Sequence, residues 1–170
     1  VRSFGTLLAF KSAKKEDAGV SIGVRGPVSV HPAFSVEPID ITSTQITKSV
    51  NGEGDGSKRG SDTMGTKHRV DNGVYVFYGS MNPQLADRTG FSNEDANAIK
   101  SILPRLFEND ESSARPSGSM EIVDVYWWEH NNRSGQYSSA KVHGSLKVNP
   151  DGTSTAETLK GLKPEVISGF

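Results

Sequence analysis

The sequence predicts an α+β domain in which an antiparallel sheet is covered on one side by helix. Many short segments alternate apolar with polar residues or are dense in β-branched residues, which is typical of strands. One segment instead spaces its apolar residues three and four apart, as an amphipathic helix does. With 170 residues, of which 34% are hydrophobic, and 18 glycines, the chain suits a single domain with one modest core.

Strand patterns account for most of the predicted elements. They run over residues 4–10, 20–30, 39–50, 70–81, 120–128 and 142–148. Arg25-Gly26-Pro27 interrupts the second of these, which predicts an edge or bulged strand because proline donates no hydrogen bond to a sheet. Residues 149–170 are rich in Gly, Ser, Thr and Pro, and we expect them to form a tail or linker.

The predicted helix begins after Ser92, which has the carboxylate of Asp95 three residues later, as in a capping box. It runs to about Glu108, with a kink at Pro104. A long polar segment precedes the strand that begins at Val70. Residues 51–65 contain five glycines and a single apolar side chain, Met64, so we expect a mobile loop that cannot order itself.

Composition excludes several classes of function. The chain has no cysteine, so it has no disulfide, zinc-thiolate site or thiolate nucleophile, and we expect a cytoplasmic protein with no membrane partner. Its four histidines are isolated from one another in sequence, and no phosphate-loop, dinucleotide or Gly-x-Ser-x-Gly pattern occurs. We therefore expect no metal, no cofactor and no catalytic residue.

The charge balance argues against nucleic-acid binding over the whole surface, since 19 basic residues face 20 acidic ones. Any site for a polyanion must be local, and residues 58–69 hold four cations against one carboxylate. Three clusters fit such a site. Residues 63–69 carry cations and donors beside Met64, residues 112–115 carry two serines and an arginine, and residues 138–143 place Lys141 and His143 on one face of a strand. Each cluster is equally compatible with a plain solvated arm, turn or strand surface.

Six sequence blocks, in order along the chain, are more specific than any of these features. They are residues 25–28 (RGPV), 35–39 (SVEPI), 46–50 (ITKSV), 63–70 (TMGTKHRV), 85–92 (LADRTGFS) and 107–115 (FENDESSAR). Together they resemble the backbone subunit of the type I-C CRISPR Cascade surveillance complex, a member of the RAMP superfamily. The resemblance covers about residues 1–148.

The resemblance implies an RNA-recognition-like, ferredoxin-like palm over residues 1–148, with a flexible thumb hairpin at about 42–68. It implies that the family's first strand and helix are missing from this sequence, as is a C-terminal portion. The implied function is a non-catalytic subunit that polymerises along the CRISPR guide RNA and presents the guide for pairing with target DNA in antiviral defence. The implied partners are the guide RNA, the target DNA, neighbouring copies and other Cascade subunits.

On this resemblance, RNA binding is expected from one set of residues. The set is Arg25, Lys48, Lys58, Arg59, Thr63, Met64, Lys67, His68, Arg69, Ser112, Ser113, Arg115, Lys141 and His143. The cations would contact phosphates, and Met64 would wedge at a kink in the guide. Two other functions remain open: a metal-dependent endoribonuclease related to type III backbone subunits, with Asp55 or Asp62 activating water, and a protein-interaction module that does not touch RNA.

Overall fold

The computed structural model describes residues 1–10, 20–47 and 64–170. The mobile loop expected at 51–65 lies outside this part of the chain as far as residue 63, and its last two residues, Met64 and Gly65, belong to a strand instead. The chain forms two compact units, one made of residues 1–33 and 77–170 and the other of residues 34–76. The second unit includes the two strands, at residues 41–47 and 64–70, that form the two ends of the segment expected to be the thumb.

The described residues contain strands, short α-helices and one 3-10 turn. The strands are β1 (Gly5–Phe10), β2 (Val20–Arg25), β3 (Val28–Val30), β4 (Phe34–Ser35), β5 (Ile41–Thr47), β6 (Met64–Val70), β7 (Tyr75–Val76), β8 (Gly79–Met81), β9 (Asp124–Trp127), β10 (Leu146–Val148), β11 (Ser154–Ala156) and β12 (Glu165–Ser168). The helices are α1 (Pro83–Thr89), α2 (Asn93–Ile102) and α3 (Ser139–Gly144), and the 3-10 turn spans Leu103–Arg105.

The prediction of an α+β protein with antiparallel pairing is confirmed. Within the described ranges the strands form two-stranded antiparallel sheets, pairing β1 with β2, β3 with β8, β4 with β7, β5 with β6, β9 with β12 and β10 with β11. The predicted interruption of the second strand pattern is also confirmed, because β2 ends at Arg25 and β3 begins at Val28. Close contact explains why residue 26 is glycine: a Cβ there would lie 2.3 Å from the carbonyl oxygen of Ser3.

The predicted start of the main helix is confirmed. The Ser92 hydroxyl accepts the N–H of Asp95, and the Asp95 carboxylate accepts the N–H of Ser92, so both halves of a capping box are present. Since proline cannot donate the hydrogen bond of a helix interior, the α-helix ends at Ile102 and the chain continues as the 3-10 turn that contains Pro104.

Helix α1 was not predicted, although its signals are in the sequence. The side chain of Asn82 accepts the N–H of Gln84 at 2.9 Å, Pro83 occupies the first turn, and Gly90 ends the helix with φ near 70°. Asn as N-cap, proline at the first position and glycine after the end are the usual boundaries of a helix. At seven residues, the helix is too short for its apolar spacing to stand out.

The predicted strand at 142–148 is partly wrong, since only Leu146–Val148 is strand. Residues 139–144 are helix α3, because the hydroxyl of Ser138 accepts the N–H of Lys141 and caps the first turn. The patterns at 70–81 and 120–128 also overestimated the strands, which are the shorter β7, β8 and β9.

The segment at 149–170, expected to form a tail or linker, contains two strands. Strand β11 pairs with β10, and β12 pairs with β9 over Glu165–Ser168. Leu162 is 3% exposed, which makes it one of the most buried apolar side chains that the structure describes. Pairing with a nearby strand for β11 and with a distant strand for β12 organises a segment whose own composition is typical of loops.

Few apolar side chains are fully buried. Apart from Pro27, the buried apolar residues in the described part of the chain are Val28 on β3, Val142 on α3 and Leu162. Many large apolar side chains are exposed instead, among them Leu7 at 72% on β1. No helix in the described ranges is long and apolar enough to cross a membrane.

Candidate nucleic-acid interface

Strands β5 and β6 form an exposed two-stranded ribbon in the second unit, and four predicted RNA-binding residues lie on it. The register pairs Thr42 with Arg69, Thr44 with Lys67, and Thr47 with Met64. Every residue of β6 is exposed. Residues that face each other across an antiparallel pair point to the same side of the sheet, and neighbours along a strand point to opposite sides. The ribbon therefore has two distinct faces.

One face of the ribbon is cationic. It carries Lys67 and Arg69, with Thr42 and Thr44 opposite them. Arg69 Nε donates to Asp71 Oδ1 at 2.8 Å, just beyond the end of β6. Hydrogen bonds from the Thr42 hydroxyl and from Arg69 lower the pKa of Asp71. Two cations and hydroxyl donors on an exposed strand are the chemistry that holds phosphate groups, while the carboxylate of Asp71 competes for Arg69.

The other face carries Met64 and His68. Met64 is 63% exposed, and its Sδ accepts a hydrogen bond from Gln45 Nε2 at 3.3 Å. His68 Nδ1 lies 2.8 Å from the hydroxyl oxygen of Ser43. Met64 was expected to act beside the cations in one cluster, but the register places it on the face opposite Lys67 and Arg69.

The cluster at 112–115 forms a turn after the 3-10 segment. The backbone N–H of Arg115 donates to the carbonyl of Ser112, and the N–H of Ser112 donates to the carbonyl of Arg115. The guanidinium of Arg115 is paired with Asp110 at 3.1 Å. This pairing leaves Arg115 partly neutralised.

A cleft of about 520 Å³ beside that turn is acidic in balance. Its lining includes the guanidiniums of Arg105 and Arg115 and, in addition, the carboxylates Glu108, Asp110, Glu111 and Glu121. An anionic phosphate is repelled by such an excess of carboxylates. Arg115 is consequently a weaker candidate for phosphate binding than Lys67 or Arg69.

The prediction that Lys141 and His143 share one face of a strand is wrong. Both lie on helix α3, where two residues of separation correspond to a rotation of about 200°. Lys141 Nζ lies 4.8 Å from the centre of the Tyr137 ring. The ring of His143 is instead stacked on Tyr78. The two side chains therefore contact different partners.

The remaining predicted residues fall in two groups. Arg25 is exposed at the end of β2 and pairs in register with Gly5. The second group lies outside the described residues and consists of Lys48, Lys58, Arg59 and Thr63. The same holds for Asp55 and Asp62, the candidate residues of the alternative nuclease function. Within the described ranges, no group of three or more histidine, aspartate or glutamate side chains is placed to hold a metal ion.

Two residues that were not predicted contact the predicted residue His143. His31 and Tyr78 both meet His143, although they are far apart in the sequence. Neither residue belongs to a motif, and only the pairing of β3 with β8 brings them together. A single sequence carries no signal for that contact.

The structure thus presents an α+β protein with an exposed, partly cationic β-ribbon. The family model described as CRISPR-associated protein Cas7 matches residues 1–165, and the chain belongs to this family. A Haloferax volcanii protein named CRISPR-associated protein Cas7 is 23% identical over an alignment of 179 positions. The alignment covers 98% of this chain and 50% of that protein. The chain spans about half the length of this curated relative. Neither comparison distinguishes subtypes, so the type I-C resemblance stays a prediction.

Proposed function

We propose that this chain is a guide-RNA-binding subunit whose copies assemble along the CRISPR RNA of a Cascade complex, of type I-C on the resemblance given above. Membership of the Cas7 family supports this proposal. In it, residues 1–148 supply an RNA-recognition-like palm, and the thumb at about 42–68 includes the ribbon. Other Cascade subunits and the target DNA, bound through pairing with the guide, are the further partners.

The observation that carries the proposal is the cationic face of the ribbon. Lys67 and Arg69 lie on one exposed face and are separated by one residue, which corresponds to about 7 Å along a strand. Cations in such a row bind the backbone of a nucleic acid and leave its bases free for pairing. The guide then recognises the target sequence by base pairing, and the protein needs no catalytic group.

Binding to RNAs of increasing length tests the proposal. Native mass spectrometry of the chain with single-stranded RNAs of the same composition should show a number of bound copies that rises in proportion to RNA length. RNAs of unrelated sequence and equal length should bind alike, because phosphates supply the contacts. A fixed number of copies at every length would contradict assembly along the guide, and absence of binding would favour the protein-interaction module.

The same complexes distinguish the nuclease alternative. Complementary RNA is added with Mg²⁺, and the products are separated on a denaturing gel. Intact complementary RNA is expected for a non-catalytic subunit. Cleavage at regular intervals that is lost in Asp55→Asn or Asp62→Asn would instead establish a metal-dependent endoribonuclease.

A further inference from the structure

Three rings meet at one end of the β3–β8 pair in the first unit, and we call them the ring cluster: His31, Tyr78 and His143. His31 follows β3 and Tyr78 precedes β8, and the backbone N–H of His31 donates to the carbonyl of Tyr78 at 2.7 Å. His143, from α3, stacks on Tyr78 with ring centres 4.4 Å apart and meets the edge of His31 at 5.7 Å. A single side chain thus contacts both strand ends.

The ring cluster lies close in sequence to both connections to the second unit. The first unit ends at Ala33 and resumes at Phe77, so His31 and Tyr78 lie within two residues of these points. Helix α3 buries one apolar side chain, Val142, at 4% exposure, and the hydroxyl of Ser145 donates to the carbonyl of Val142 at the end of the same helix at 2.6 Å. His143 therefore links this helix to the two chain segments that lead into and out of the second unit.

The environment of His143 favours the neutral imidazole. Burial and the proximity of His31 lower the pKa of His143, and a hydrogen bond to the backbone of Gly79 acts in the opposite direction. The groups that face it are His31 beyond β3 and Tyr78 before β8, while Lys141 on its own helix points to a different partner, the ring of Tyr137. A proton on His143 would place a charge in a half-buried stack beside the imidazole of His31.

We propose that the ring cluster is a proton-operated clamp, which holds α3 against the ends of β3 and β8 while His143 is neutral and releases them when His143 takes up a proton. This inference concerns the first unit and does not depend on RNA binding. The packed ring cluster disfavours the charged form of His143. The stabilisation of the cluster by neutral His143 is therefore fully present above the ordinary histidine pKa of 6.5, and it is lost as the pH falls below that value.

Amide hydrogen exchange of the full chain tests the clamp, with rates converted to protection factors so that the chemical pH dependence is removed. Between about pH 7.5 and about pH 5, where histidine titrates, protection of the His31 amide should fall several-fold. In His143→Phe, which keeps a stacked ring but takes up no proton, that protection should stay constant. A matched control is His68→Phe, which removes an exposed histidine on β6 and should retain the loss seen in the wild type.

A second variant keeps the test decisive if His143→Phe does not fold. His31→Asn leaves His143 in place and removes the neighbouring imidazole that lowers its pKa. The pKa of packed His143 then lies closer to the ordinary value, so the total loss of protection at low pH should be smaller than in the wild type. The clamp is refuted by wild-type protection that does not change with pH. It is equally refuted by a pH-dependent loss that survives in His143→Phe, or by a loss of undiminished size in His31→Asn.

Discussion

Replacing Lys67 and Arg69 by alanine should weaken binding to every single-stranded RNA alike, and the salt dependence gives the size of the effect. Each phosphate contact to a single strand contributes about 0.7 to the slope of log affinity against log salt. The double variant should therefore bind with a slope about 1.4 smaller in magnitude. Its affinity loss relative to the wild type should consequently be about sevenfold larger at 50 mM salt than at 200 mM salt.

Filter-binding titrations at several salt concentrations, on two RNAs of unrelated sequence, measure this slope. Lys163→Ala is the matched control, since it removes one exposed cation from the first unit that was not predicted to bind RNA, and it should leave the slope unchanged. Asp71→Asn should strengthen binding, because the carboxylate at 2.8 Å from Arg69 Nε no longer competes with phosphate. An unchanged slope in the double variant, or a loss confined to one RNA sequence, would refute the role of the cationic face.

Three further substitutions test other parts of the structure. Arg115→Ala should reduce the salt slope by less than Lys67→Ala, because Asp110 already pairs with Arg115 at 3.1 Å; an equal reduction in the same titrations would show that RNA displaces the carboxylate. Ser92→Ala removes one half of the capping box and should lower the free energy of unfolding by about 1 kcal/mol in urea denaturation. Ser92→Asp keeps a capping oxygen and should retain most of the stability that the cap contributes. Leu162→Ala should cost about 2–5 kcal/mol in the same assay, and a change under about 0.5 kcal/mol would mean that the C-terminal segment is not part of the core.

Local signals in the sequence predicted the elements that are stabilised locally. Helix α2 was predicted because Ser92 and Asp95 satisfy each other's backbone N–H groups within one turn. The break between β2 and β3 was predicted because Pro27 has no backbone N–H to donate to a neighbouring strand. Both features depend on residues that are close together in the sequence.

Of the elements that were missed, helix α1 has local signals but is short, whereas β12 and α3 depend on contacts with distant residues. Residues 165–168 are a strand because they pair with Asp124–Trp127, some forty residues away in the chain. Helix α3 is short, and its residues Val142 and His143 are placed by packing in the first unit rather than by spacing. Val142 is β-branched, and in a helix of six residues it favours the prediction of a strand when only the adjacent residues are considered.

The two faces of the ribbon separate the proposed roles of Met64 and the cations. In a strand, Met64 has the opposite parity to Lys67 and Arg69, and the register with β5 shows this directly. A wedge at Met64 and phosphate contacts at Lys67 and Arg69 therefore require RNA on both sides of the ribbon. Met64→Ala should change the chemical-probing pattern of the bound RNA without changing the salt slope, and it should alter the free energy of unfolding by less than about 0.5 kcal/mol because the side chain is 63% exposed. Combined with Lys67→Ala it should give additive losses of affinity, since the two side chains share no face. A strongly non-additive pair would show that both act on the same contact, and the division into two faces would then be wrong.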